Sequence, residues 1–288
     1  LTSTDLARMQ VDDIASFSIL KDATATALYG ARAANGVILI TTKEGVEGKA
    51  KVSVRFENSV SAPTKNIQLA DPVTYMKLYN EAVLTRNSLQ DVPYLPNQIE
   101  NTEAGTNPYA YPATDWRKEL FKNNTMNQRL NFNITGGGKV ANYYLAGTYN
   151  VDHGVLKVPR ISNFNNNIDL KSYLLRSNIN IHVTKTTEVG IKLYGSFDDY
   201  PGPIDGGTAL YNQVMRTAPT LFPAYFPKDS AHRFAQHILW GKSGEGDESN
   251  PEANMVKGYR TYNNSLMLAQ FELKQDLIFI TEGLSLRG

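Results

Sequence analysis

From Lys49 onward, apolar and polar residues alternate with a period of two. Val52, Val54 and Phe56 alternate with Ser53, Arg55 and Glu57, and Leu130, Phe132 and Ile134 with Asn131 and Asn133. Tyr143, Leu145, Gly147, Tyr149 and Val151 oppose Asn142, Tyr144, Thr148 and Asn150, while Ile179, Ile181 and Val183 oppose Asn178, Asn180 and His182. Val189, Ile191, Leu193 and Phe197 oppose Glu188, Lys192 and Ser196, and Met267, Ala269, Phe271 and Leu273 oppose Gln270, Glu272 and Lys274. Successive side chains of a strand point to opposite faces, so each run predicts a strand with one apolar and one polar face.

A soluble β-sandwich alternates as well, and the connections separate the two architectures. Gly136, Gly137, Gly138 and Lys139 form one tight turn and 184–187 another, whereas 61–126, 152 to about 170 and 198 to about 258 are long excursions. The long ones carry predicted helices at 72–85, 114–121 and 207–217, so they are built structures. Short turns at one end and long loops at the other are the pattern of an antiparallel transmembrane β-barrel. In that reading Leu130, Phe132, Ile134, Ile179, Ile181, Ile191 and Leu193 face lipid.

The stretch ahead of Lys49 is different. Residues 16–20 are β-rich, Asp22 is placed to N-cap a helix over 23–29, and Gly30 sits where a helix C-cap needs a positive φ. Asn35 and Gly36 then turn the chain into Val37, Ile38, Leu39, Ile40, Thr41 and Thr42, apolar on both faces as in a strand buried on both sides. This is a small α/β packing unit. Gly30 and Gly36 do not read as a phosphate cradle, because no helix follows them and no Gly-Lys-Ser/Thr is present.

Composition removes several functions. The 29 Lys and Arg against 28 Asp and Glu leave a net charge of +1, too little to collect nucleic acid by long-range attraction. The absence of cysteine removes disulfides, thiol chemistry and cysteine-ligated zinc. The chain begins at Leu1, shows no signal-peptide pattern and has no run of 18 apolar residues, which reads as either a soluble cytoplasmic protein or an internal piece of a longer one. His232 and His237 are five apart, and His153 and His182 sit on separate elements, so no metal-ligand spacing is present. Asp198, Asp199, Asp205 and Gly206 do not have the spacing of a calcium loop and read as an acidic surface loop. No catalytic constellation is visible, and the chain reads as a non-enzyme without cofactor.

The residues also carry a resemblance. "SFSILKDATATALYGARAANGVILITTKEG" resembles the end of the plug domain of SusC/RagA-type TonB-dependent outer-membrane transporters. "LADPVTYMKLYNEAV", "YPATDWRKELF", "LNFNITGGGKVANYYLAGTYNVDHGVLK" and "RSNINIHVTKTTEVGIKLYGSF" resemble, in the same order, the segments that follow it in that family. The resemblance implies a mainly β fold, a partial antiparallel transmembrane barrel preceded by the C-terminal part of a small α/β plug. Residues 1–48 would be the end of the plug and 49–288 the first staves of the barrel with its extracellular loops. Family barrels have about 22 strands with a plugged lumen, and about seven are counted here, too few to close.

The implied function is import of oligosaccharides or peptides across the bacterial outer membrane. The implied partners are TonB, through a segment absent from this chain, a SusD-like surface lipoprotein, and outer-membrane lipid. The alternative is a secreted or surface glycan-binding module without transport; a carbohydrate-active enzyme ranks lower. Lys21, Asp22, Tyr29, Arg32 and Asn35 are the candidate polar contacts between plug and wall, with intra-plug capping and packing the favoured role for Asp22 and Tyr29. In the third long connection Tyr211, Phe222, Tyr225, Phe226 and Trp240 are candidates for the substrate mouth and the lipoprotein contact. The competing role for those rings is a small core of the loop's own.

Overall fold

The computed structural model describes residues 9–21, 29–30, 36–65, 67–159, 164–244 and 249–288. A single turn of 3-10 helix, Val11–Asp13, leads into strand β1 (Ile14–Leu20), which pairs antiparallel with β2 (Val37–Thr42). Leu20 lies opposite Val37 and Phe17 opposite Ile40. The expectation that 37–42 is buried on both faces is corrected within this chain: Phe17, Ile19, Ile38 and Leu39 are all exposed. A two-stranded ribbon has no second layer of its own, and nothing among the described residues covers these side chains. The expected helix over 23–29 lies outside the described residues except for its last position, Tyr29. Gly30 and Gly36 both take positive φ, 70° and 97°.

The rest of the chain builds one open antiparallel sheet. Its strands are β3 (Gly48–Ser61), β4 (Thr125–Gly137), β5 (Ala141–His153), β6 (Asp169–His182), β7 (Thr187–Pro203), β10 (Tyr259–Asp276) and β11 (Ser285–Arg287), each hydrogen-bonded to the next in that order. A separate two-stranded ribbon, β8 (Tyr225–Phe226) with β9 (Leu239–Trp240), lies in the connection between β7 and β10. Strands β3 to β10 of the wall run 13 to 18 residues, longer than the roughly 9–11 that a tilted strand needs to cross a bilayer. The surplus lies above the expected span: β6 begins at Asp169, β7 runs on to Pro203, and β10 begins at Tyr259. Asp198 and Asp199 are therefore strand residues and not part of an acidic loop.

The two faces of the wall are inverted relative to a soluble domain. On the outer phase Val52, Val54, Phe56, Leu175, Met267 and Phe271 are exposed, while on the inner phase Tyr144, Thr148, Asn131, Asn178 and Ser196 are buried. The pairing places Leu130, Phe132, Ile134, Ile179, Ile181, Ile191 and Leu193 together on the outer face. Two outer-face glycines are covered by rings from the neighbouring strand, Gly147 by Phe132 and Gly136 by Tyr143, which fills the gap a missing side chain leaves in a sheet.

The long connections fold. The first contains α1 (Pro72–Arg86), α2 (Pro96–Ala104) and α3 (Trp116–Leu120), and the third contains α4 (Gly207–Arg216) and α5 (Pro251–Val256). Asp71 caps α1 by accepting from the backbone N–H groups of Val73 and Thr74 at 3.1 and 3.0 Å, with Pro72 at the first helical position. The Thr74 hydroxyl and backbone N–H hold the Asp71 carboxyl below its ordinary pKa. All three long connections meet in one core of Trp116, Leu120, Leu156, Leu210, Val214, Phe222 and Met255.

Candidate functional site

The inner face of the wall carries the N-terminal unit, and the seam between them is polar. Asp13 sits at its centre, accepting from the Tyr144 hydroxyl at 2.8 Å and from Arg176 Nε at 3.4 Å. The side chains of Asp13 and Arg176 are only 11% and 10% exposed, so this ion pair is desolvated in a way that surface pairs are not. The Arg176 guanidinium also lies over the Tyr194 ring, 4.9 Å from its centroid. Beside it Asp12 accepts from Arg55 at 3.2 Å, and Arg55 also pairs with Glu57.

At the other edge of the unit, Asn178 Nδ2 donates to Thr42 Oγ1 at 3.2 Å and to the Lys43 carbonyl at 2.7 Å, and Asn180 donates to Glu44 at 3.1 Å. Lys192 bridges Glu44 at 3.0 Å and Glu272 at 3.2 Å. The strand register brings these together, since Tyr144 lies opposite Asn178 and Asn178 opposite Lys192. Gly45 completes the seam. A Cβ there would fall inside the backbone of Asn142 and Tyr143, so only glycine lets the chain pass this close to β5.

The structure places the sequence-named residues elsewhere. Lys21 and Tyr29 are exposed, and Asp22, Arg32 and Asn35 lie outside the described residues. The described contacts come from Asp12, Asp13, Thr42, Lys43 and Glu44, which sequence reasoning did not single out. The wall half was legible in part, because Tyr144, Asn178, Asn180 and Lys192 all fall on the polar phase of their strands. Their partners are 130 or more residues away in the chain for Tyr144 and the two asparagines, and no local signal marks such a pairing.

At the far end of the wall the five aromatic candidates divide. Phe222 is buried at 2% and packs edge-on against Trp116, ring centroids 5.6 Å apart, so it belongs to the core of the connections. Trp240 is half-buried opposite Tyr225 in the small ribbon. Tyr211, Tyr225 and Phe226 are exposed, Tyr211 touching Phe121 and Phe226 touching Tyr109. A cavity of about 560 Å³ is lined by Tyr200, Asp205, Thr208, Arg260, Thr261 and Tyr262, around the upper ends of β7 and β10.

Asp198 is engaged by Ser172 at 2.8 Å and Asp205 by Lys257, so the acidic residues there are held apart by separate partners. His153 meets Asp169 at 2.7 Å, and His232 meets Asp229 at 2.6 Å. Among the described residues no group of three His, Cys, Asp or Glu is placed to hold a metal. Glu252 is buried in the core of the connections with Oε2 unpartnered, and burial, then the Glu119 carboxylate, push its carboxyl above the ordinary pKa.

No protein-family model matches the chain. TonB-dependent receptor P3 of Formosa agariphila is 30% identical over 221 residues, covering 73% of this chain and 18% of that protein. TonB-dependent receptor SusC of Bacteroides thetaiotaomicron is 26% identical over 266 residues, covering 92% of this chain and 23% of that receptor. Among solved structures, the RagAB peptide transporter superposes on 99% of this chain and 32% of its own with a TM-score of 0.65 at 19% identity. The "open-open" state of the RagAB peptide importer gives 0.60 over 95% of this chain. The chain spans about a fifth to a quarter of the length of the curated relatives it matches.

An inverted wall with a polar inner face and a small two-stranded unit seated on it is part of a plugged, antiparallel transmembrane β-barrel. Within that class the chain belongs to the SusC/RagA-type TonB-dependent receptors.

Proposed function

We propose that the receptor containing this segment imports oligosaccharides or peptides across the bacterial outer membrane with energy relayed by TonB. In this reading residues 1–48 are the end of the plug and 49–288 the first strands of the barrel and its outer loops. The observation that carries it is the seam: a polar, ion-paired contact between a small unit and the inner face of an inside-out sheet. Such a contact is reversible in a way that an apolar interface of the same area is not, because water can replace every hydrogen bond it loses. The relatives' names support the receptor class, and the unit's polar contacts with the inner face of the wall support a gate.

Lys21, Arg32 and Asn35 are assigned to polar contacts with the barrel wall, and Asp22 and Tyr29 to capping and packing within the plug. The exposed rings of Tyr211, Tyr225 and Phe226 are assigned to a SusD-like surface lipoprotein. Phe222 packs on Trp116 in the core of the connections, and Trp240 stands opposite Tyr225 in the small ribbon. The test uses cells in which the full-length receptor is the sole importer of a labelled oligosaccharide or peptide pool. Uptake is expected to vanish when TonB is removed, and lipoprotein co-purification to fall when Tyr225 and Phe226 are both changed to alanine. Equal uptake with and without TonB contradicts the import reading.

A further inference from the structure

The seam has a direction. Among the described residues, each side-chain hydrogen bond across it is donated by the wall and accepted by the N-terminal unit. Arg55, Tyr144, Arg176, Asn178 and Asn180 donate, and Asp12, Asp13, Thr42, Lys43 and Glu44 accept. Among the described residues each ion pair across it likewise puts the cation on the wall and the carboxylate on the unit: Asp12 with Arg55, Asp13 with Arg176, Glu44 with Lys192. A seam evolved only to hold would be free to mix the two polarities.

The wall side is held in place independently of the unit. Arg176 rests on Tyr194, Lys192 is tied to Glu272, Glu272 is tied in turn to Arg287, and Arg55 pairs with Glu57. Two of the three cations thus keep a wall carboxylate when the unit leaves. Arg176 is the exception: Asp13 is its one described carboxylate partner. Moving the unit away leaves the Arg176 guanidinium, the Tyr144 hydroxyl and the Asn178 amide pointing into the lumen, pre-aligned and short of acceptors.

We propose that Arg176, Tyr144 and Asn178, flanked by Arg55, Asn180 and Lys192, form a binding track for carboxylate-bearing cargo, and that Asp13 and its neighbours occupy this track as a stand-in until the unit moves. The proposal rests on the import reading above. The incoming group must offer two acceptor oxygens to a guanidinium and a hydroxyl in a partly desolvated groove, which a carboxylate does and a sugar hydroxyl or an amide does less well. An acidic peptide and a uronate-containing oligosaccharide share that chemistry.

The test compares uptake by the full-length receptor of a glutamate-containing peptide with its glutamine counterpart, and in a parallel arm of trigalacturonate with its methyl ester. Wild type is expected to favour the carboxylate form in at least one arm, and the arm that shows it identifies the source. Arg176→Gln should cut that preference about tenfold, equivalent to about 1.4 kcal/mol, while Arg176→Lys keeps most of it. A preference unchanged in surface-assembled Arg176→Gln receptor overturns the track and leaves the import reading intact. TonB-independent uptake of both forms by wild type contradicts the import reading instead.

A second measurement decides the proposal even where Arg176→Gln fails to assemble. Purified full-length receptor carrying Asp13→Asn should bind the preferred carboxylate probe about tenfold more tightly than wild type, because the stand-in is weakened. An unchanged affinity overturns the track.

Discussion

Asn250 holds the outer connections together through both ends of one amide. Its oxygen accepts from the N–H groups of Glu252 and Ala253 at 2.9 and 3.2 Å, capping α5, and its nitrogen donates to the carbonyls of Ala224 and Gly241 at 2.7 and 3.0 Å. Asn250→Ala should cost about 2 kcal/mol locally, roughly one for the cap and the rest for the Gly241 carbonyl, since the Ala224 carbonyl keeps the Gly241 N–H at 3.2 Å. Hydrogen exchange of 249–256 reads that loss, and Asn250→Asp should recover the cap alone. Glu252, two residues on, sets a pH dependence. Its folded pKa is raised above the ordinary 4.5, so above pH 4.5 the folded state holds a proton the unfolded state has released, and stability falls as pH rises through that window. Glu252→Gln should therefore slow exchange of the same segment at neutral pH and change little at pH 4. A faster exchange at pH 7 would contradict the burial argument.

At the scale of elements, the period-two alternation located every wall strand from β3 to β10 and put each on the correct phase, because burial on one face leaves a mark at every second residue. It did not locate strand ends. Above the expected span, Tyr200, Asn263 and Asn264 are polar or aromatic on both phases, so the alternation fades while the hydrogen-bond ladder continues to Pro203 and Tyr259. The helix expected over 72–85 is α1, which ends one residue later at Arg86. The shorter α2 and α5, begun by Pro96 and Pro251 after Leu95 and Asn250, were missed because nine and six residues are too few to show a helical period.

The register carries a mutational prediction. Ile191→Arg or Leu193→Arg places a charge on the outer phase and should cost about 2 to 4 kcal/mol where that phase meets the bilayer midplane. Asn180→Arg, on the inner phase, meets the Glu44 carboxylate and should cost little. Equal loss of heat-resistant, folded barrel on gel mobility from both phases would defeat the register.

Across the whole molecule, the three long connections gather at one end of the sheet and the turns at 138–140 and 183–186 at the other, while the N-terminal unit sits on the inner face. The family resemblance implied a plug in contact with the wall but not the residues that meet it, since the described contact is made of Asp12, Asp13 and Glu44 reaching side chains far along the chain. The proposed import requires this seam to open. The segment contains no cysteine, so a pair introduced as Thr42→Cys and Asn178→Cys, at side chains that meet at 3.2 Å, can be joined in the full-length receptor without rivals from this segment. With the tether closed, TonB-dependent uptake should stop, and reduction should restore it to the level of the same double variant never oxidised. Uptake at the wild-type rate through fully tethered receptor would contradict the claim.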